Sequence, residues 1–295
     1  MKRMTALIAL LCVALCCFAA CTKQATAATP VSKASDASQY PKQMGQAKST
    51  DTYTENKVTL WNEETQRKFK CLEVIPKGIA DDEKVPMIVY IHGLNGNEES
   101  LVDEPEALAV HKIAGITFEA GTCIIDGKSI SLAHYTYRIS DFETVLAYVK
   151  TLPYVDGDRI YIYGQSYGGL VAMAAAPRHN DDTAGMILES TGLDAEGGMI
   201  KTSEQEALHR YDLPEDWKAY ILRYNRDVIV CCSEGDTGAY ANGQYTADLY
   251  AERADASATF YSCPEGKHAF AAFSAEGKAI TLDAMQDLVL QGNAK

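Results

Sequence analysis

The stretch that constrains this chain most runs Arg159-Ile160-Tyr161-Ile162-Tyr163-Gly164-Gln165-Ser166-Tyr167-Gly168-Gly169-Leu170-Val171-Ala172. An apolar run of strand length passes directly into Gly-Gln-Ser-Tyr-Gly and then into small residues that suit a helix start. A strand that turns straight into a helix holds the residue at the bend in a strained backbone conformation, with its side chain clear of the sheet. Glycines on either side are needed because a side chain there would strike the neighbouring strand or helix. Chance alone gives such a five-residue match in about one chain of this length in ten. The rest of the chain has to supply the context.

The flanking sequence alternates strand and helix signals. Residues 58–60 and 69–75 read as a hairpin around the polar turn at 62–66, and residues 87–91 are apolar on both faces, as a central strand in a covered sheet would be. Pro105 suits a first helical turn, which predicts a helix over 105–120 stopped by Gly121. A strand follows at 122–125 and a loop at 126–139. Ser140-Asp141-Phe142-Glu143 is a capping box that predicts a helix to about Leu152. After the bend, strands are expected at 185–188, 228–232 and 258–263, with a closing helix at 278–291. Such alternation implies a mostly parallel central sheet with helices on both faces.

Composition narrows the function classes. The 295 residues carry 40 acidic and 27 basic side chains, a formal charge of -13, which argues against nucleic acid or an anionic membrane surface as partner. There is no internal repeat, phosphate-binding loop or zinc-like Cys/His spacing, so the expectation is chemistry without metal or cofactor. Four of the nine cysteines lie in the first 21 residues. The others, Cys71, Cys123, Cys231, Cys232 and Cys263, fall in or beside apolar runs and read as small buried hydrophobes.

Met1-Lys2-Arg3 followed by an apolar run to Ala20 reads as a signal peptide over 1–20, too short for a comfortable membrane span. Phe18-Ala19-Ala20-Cys21 resembles a bacterial lipobox, in which Cys21 becomes lipidated; ordinary cleavage at Ala20 or near Ala25-Thr26-Ala27 is the competing reading. The remainder of 21–51 is polar and small, and reads as a flexible tether. That leaves 52–295 as the folded domain, about 245 residues and enough for a full α/β core. Membrane association is expected only through the lipid, on an exported protein facing the periplasm or cell exterior. The chain carries no signal for oligomeric state.

A serine held at such a bend suits nucleophilic catalysis. Its hydroxyl is a poor nucleophile at neutral pH, so it needs a histidine to take its proton and a carboxylate to hold that histidine. On strand-turn-helix serines of this kind, the partners follow in the order acid, then histidine. Asp236, in the loop after 228–232, and His268, in the loop after 258–263, have that order and strand-end placement. Glu189 and Asp194 are the rival acids. Among the six histidines, His92 is expected to shape its loop rather than move protons. Oxyanion donors are expected from the backbone N–H of Tyr167, at the helix start, and of Leu94, after 87–91.

Through Ile91-His92-Gly93-Leu94-Asn95-Gly96-Asn97, the Ser166 stretch and Gly266-Lys267-His268-Ala269-Phe270, the chain resembles the α/β-hydrolase superfamily over roughly residues 55–292. Within it, the chain is most similar to bacterial esterases related to cinnamoyl (feruloyl) esterases and to prolyl-oligopeptidase-like serine hydrolases. The resemblance implies an α/β-hydrolase fold and a small-molecule ester as substrate; the 70 positions between Ser166 and Asp236 leave room for a small lid at most, at 191–226. A peptidase of related fold and a catalytically silent surface binding protein are the alternatives. Two departures bear on substrate class: the usual Gly-x-Gly-x-Ser turn is reduced to Asp126-Gly127-Lys128-Ser129, and Asp236 lacks a following Val-Pro. Trp217, Tyr220, Ile221 and Tyr224 fall at i, i+3, i+4 and i+7, an amphipathic stripe. It reads either as core packing or as an aromatic roof in which Trp217, Tyr220 and Tyr224 line the acyl pocket.

Overall fold

Backbone alternation along the middle strands decides the architecture. In the computed structural model, which describes residues 37–94, 96–121, 132–193 and 217–291, Met87, Val89 and Ile91 of strand β4 (Val85–Ile91) enter one apolar core, while Ile88 and Tyr90 enter another on the opposite face. Strand β6 (Val155–Gln165) does the same, sending Ile160 and Ile162 one way and Tyr161 and Tyr163 the other. A strand buried on both faces must sit mid-sheet under two layers of helix.

Nine strands of the described residues form one sheet in the order β1-β2-β3-β5-β4-β6-β7-β8-β9. Strands β1 (Lys42–Ser49), β2 (Tyr53–Asn62) and β3 (Arg67–Pro76) are antiparallel, and β3 meets β5 (Ala114–Phe118) antiparallel. From β5 onward, through β4, β6, β7 (Gly185–Glu189), β8 (Asp227–Ser233) and β9 (Ala258–Cys263), every pairing is parallel. On one face the core takes residues from α2 (Leu132–Val149), α3 (Tyr167–Ala175), α4 (Trp217–Ile221) and α5 (Thr237–Ala251). On the other it takes Leu108 of α1 (Asp103–Leu108) and Ala284, Met285 and Val289 of α6 (Ala275–Gln291). The sheet and its helices belong to one unit, residues 40–295; in the preceding unit, 1–39, the described residues 37–39 form a single 3-10 turn. No helix among the described residues is long and apolar enough to cross a membrane.

Three expectations are corrected. Residues 42–49 are not tether but strand β1. All eight are exposed and the strand is held by backbone pairing to β2, so no hydrophobic alternation marked it. Residues 105–120 are not one helix: α1 ends at Leu108, Lys112 takes a left-handed φ of 56°, and 114–118 run as buried strand β5. Gly115 belongs to that strand because a β-carbon there would lie 2.4 Å from Pro105 Cβ. Short apolar runs of this kind fit either structure by periodicity. Ser140 is no helix cap. It lies inside α2, where Asp141, fully buried, accepts from Asn62 Nδ2 at 2.9 Å and Gly121 N at 2.8 Å and pairs with Arg67. The box residues join the β2–β3 hairpin to the helix instead of starting it.

The strand expected at 122–125, Asp194, Cys21 with the segment before it, and most of the lid at 191–226 lie outside the described residues. Cys71, Cys231, Cys232 and Cys263 are free and buried; Cys123 lies outside the described residues too.

Candidate active site

Ser166 stands between the last residue of β6 and the first of α3 with φ 52° and ψ -121°, a conformation L-residues rarely adopt. Its N–H donates to Glu189 O at 2.9 Å, holding the bend on the neighbouring strand β7. The two glycines of the turn are sterically required. A β-carbon on Gly168 would lie 2.0 Å from Ile91 O, and one on Gly164 would lie 2.5 Å from Gly168 O.

Two loops from the ends of β8 and β9 meet this serine. Asp236 caps α5, its Oδ1 accepting from Ala239 N at 3.4 Å while Oδ2 faces His268 Nδ1 at 2.5 Å. His268 Nε2 lies 2.8 Å from Ser166 Oγ. A carboxylate at Nδ1 keeps the ring proton on that nitrogen and leaves Nε2 free to accept from the serine. The loops are fastened to each other: Ser233 Oγ donates to Glu265 O, and Gly235 packs so closely that a β-carbon would meet Gly266 O at 1.9 Å. Thus three residues 102 positions apart at the extremes converge at one end of the sheet.

The rival acid Glu189 is placed differently. It is fully buried below the bend, where Oε2 accepts from Gln165 Nε2 and Tyr163 Oη, both at 2.8 Å. Tyr163 Oη also lies 3.2 Å from Glu104 Oε1. Burial raises the pKa of Glu189, and burial together with the charge of Glu189 pushes Glu104 up to about 8. The folded chain therefore keeps a proton on Glu104 that the unfolded chain releases near 4.5. Its contribution to stability is full below that value and is lost as pH climbs toward about 8, by roughly 1 kcal/mol per pH unit. Glu104→Gln should accordingly show a melting temperature that falls less than the parent's between about pH 5 and 8; parallel curves would contradict the assignment.

On the other side of Ser166 lies the loop after β4. A β-carbon on Gly93 would be 3.3 Å from Ser166 Cβ, so this loop abuts Ser166. Leu94, next in the loop, has an exposed side chain, and Tyr167 opens α3 at the positive end of its dipole. His92 is buried, with Nδ1 2.6 Å from Gly93 O and Nε2 accepting from Ala120 N at 3.2 Å, a pattern that fixes a neutral ring with the proton on Nδ1.

Arg138 has no counterpart among the residues singled out from sequence. It is buried in α2, donates to His92 O at 2.8 Å and to Gly93 O at 3.1 and 3.2 Å, and sets its guanidinium 5.2 Å from the Tyr167 ring. It holds the Gly93 loop and the start of α3 together. A buried arginine leaves no motif, and Arg138 falls in the loop expected at 126–139 rather than, as observed, on α2.

The aromatic stripe is core. Tyr224 and Ile221 are fully buried, Tyr220 Oη donates to Ala174 O at 3.0 Å, and Tyr224 Oη lies 3.1 Å from Thr183 Oγ1. Trp217 stacks on Tyr220 with centroids 6.2 Å apart. The reading of Trp217, Tyr220 and Tyr224 as pocket wall is therefore replaced by packing against α3 and the sheet.

Comparison with known proteins adds to this geometry. Residues 128–236 match the model of the prolyl oligopeptidase family. Among solved structures, Est1E from Butyrivibrio proteoclasticus is 18% identical, with a TM-score of 0.59 over 79% of this chain and 98% of its own; it has also been solved with ferulic acid bound. An S-formylglutathione hydrolase from Agrobacterium tumefaciens is 13% identical (TM-score 0.62, 85% and 99% covered), and acetyl xylan esterase 1 from a Thermoanaerobacterium species 15% identical (0.57, 82% and 88%). The parallel sheet, its helical layers and these likenesses agree: the chain has the α/β-hydrolase fold.

Proposed function

We propose that the chain is a serine hydrolase that cleaves carboxylic esters through an acyl-enzyme. The observation that carries this reading is the 2.8 Å approach of His268 Nε2 to Ser166 Oγ, with Asp236 on the far side of the ring. Ser166 Oγ attacks the ester carbonyl carbon as its proton passes to His268 Nε2. The carbonyl oxygen becomes an oxyanion facing the Leu94 and Tyr167 amides. The C–O bond to the alcohol then breaks and His268 hands its proton to the departing oxygen. Water, deprotonated by His268, attacks the acyl carbon and releases the acid, returning the proton to Ser166. Asp236 holds the ring and stabilises its protonated form. No step calls for a metal or cofactor.

Short-chain or aryl esters, hydroxycinnamoyl esters included, are the substrate class the likenesses favour, since Est1E accommodates ferulic acid and two other neighbours are named as ester or thioester hydrolases. The family matched over 128–236 favours a second reading, a peptidase. A hydrolysis panel of short acyl, long acyl and hydroxycinnamoyl esters against peptide amides separates the two. Faster turnover of short or aryl esters is expected; turnover of amides alone would replace the ester reading. The basic, apolar start ending at Cys21 supports an exported, lipid-anchored site of action.

Arg138 predicts a second result. Arg138→Met removes the guanidinium from the carbonyls of His92 and Gly93, leaving Gly93 O with His92 Nδ1–H as its short donor, so the loop opposite Tyr167 should lose its set. Turnover should fall by about tenfold to a hundredfold with KM little changed, as steady-state kinetics on the preferred ester would show.

A further inference from the structure

Besides Ser166, three residues at this end of the sheet hold left-handed backbones without being glycine: Ser190, φ 49°, directly after β7, and Glu265, φ 55°, and Ala269, φ 75°, on either side of His268 in the loop after β9. Such conformations cost free energy in any residue with a β-carbon and persist where the surroundings hold them. Ser166, Ser190 and Ala269 are joined through hydrogen bonds at the end of β7. Ser190 Oγ accepts from Ala269 N at 3.0 Å, and Ser190 N donates to Cys231 O at 2.9 Å. Glu189 O, one residue back, accepts from Ser166 N at 2.9 Å, and the Glu189 carboxyl accepts from Gln165 at 2.8 Å. Glu189 and Ser190 are both buried, so this dipeptide is fixed from below.

Seen from the chemistry, the end of β7 touches both partners of the proton transfer. Its Glu189 half holds the residue before the nucleophile and the nucleophile's own amide. Its Ser190 half holds the amide directly after the histidine. His268 itself is half exposed and carries no burial of its own to fix it. The Ser190 hydroxyl is the contact that ties the histidine loop to the end of β7, beside the Ser233–Glu265 bond that ties it to the loop after β8.

We propose, on the serine hydrolase reading above, that Ser190 is a positioning residue that sets the Ser166–His268 distance through Ala269. The role belongs to its hydroxyl and not to its backbone. Glycine takes φ 49° without strain, so Ser190→Gly removes the tether while sparing the fold. That variant should lose about tenfold in kcat, with KM within about twofold and a melting temperature equal to or above the parent's. A fluorophosphonate probe should label Ser166 more slowly by the same factor as kcat falls. Ser190→Ala, which keeps the β-carbon and deletes only the hydroxyl, should give the same kinetic loss.

A kcat and labelling rate within about twofold of the parent in both variants overturns the proposal. So does a kinetic loss that tracks a drop in melting temperature, which would make Ser190 merely structural. A parent protein that takes no label removes the hydrolase reading and this proposal with it. A parent that labels, beside Ser190 variants that label equally fast, removes this proposal alone.

Discussion

Replacing His268 by alanine is expected to lower kcat by roughly four to six orders of magnitude and to leave the melting temperature close to the parent's. The size follows from the role proposed for the ring. Without it, Ser166 must lose its proton to water and the departing alcohol must leave unprotonated. The small cost in stability follows from exposure: the imidazole is half exposed, and its nitrogens meet Ser166 and Asp236 at the site itself. Steady-state kinetics and a thermal melt on the same sample check both halves. A kinetic loss below about tenfold would place the proton transfer elsewhere.

The second large effect concerns stability. Tyr224→Ala empties a fully buried site in the core that also holds Tyr220 and removes the Tyr224 hydroxyl from Thr183 Oγ1, which keeps its bond to His179 O, so it should cost about 3–5 kcal/mol. In a domain of this size that lowers the melting temperature by about 10 °C. The ratio of short-acyl to long-acyl turnover should not move. A shifted acyl preference with an unaltered melt would return the stripe to the pocket wall.

These two residues show where sequence reading succeeds and where it stops. The bend at Ser166 was legible because its cause is local: an apolar strand, a glycine on either side and a small-residue helix leave few alternatives. The double-sided burial of β4 and β6 was legible for the same reason, since every neighbour in the run is apolar. Asp236 and His268 could be ordered along the chain because each follows a strand directly. The stripe at 217–224 had the right period, but period alone says only that one face is covered, not whether by protein or by substrate.

Other features depend on partners remote in sequence. Strand β1 is drawn into the sheet by backbone pairing with β2, and its exposed side chains carry no sign of it. Asp141 looked like the second residue of a helix start because Asn62, Arg67 and Gly121, its actual partners, lie 20 or more positions away. Arg138 and Ser190 act on loops they reach only after folding. Glu189 looked like a rival acid from its place after a strand, but Tyr163 and Gln165 engage the carboxyl beneath the bend, and Asp236 faces the histidine.

The central claim is that Ser166 is an activated nucleophile, and covalent labelling tests it most directly. Treated with a fluorophosphonate and digested, the protein should carry one phosphonyl adduct on the peptide containing Ser166, and Ser166→Ala should carry none. A parent protein that folds, melts cooperatively and takes up no adduct on that peptide would contradict the account.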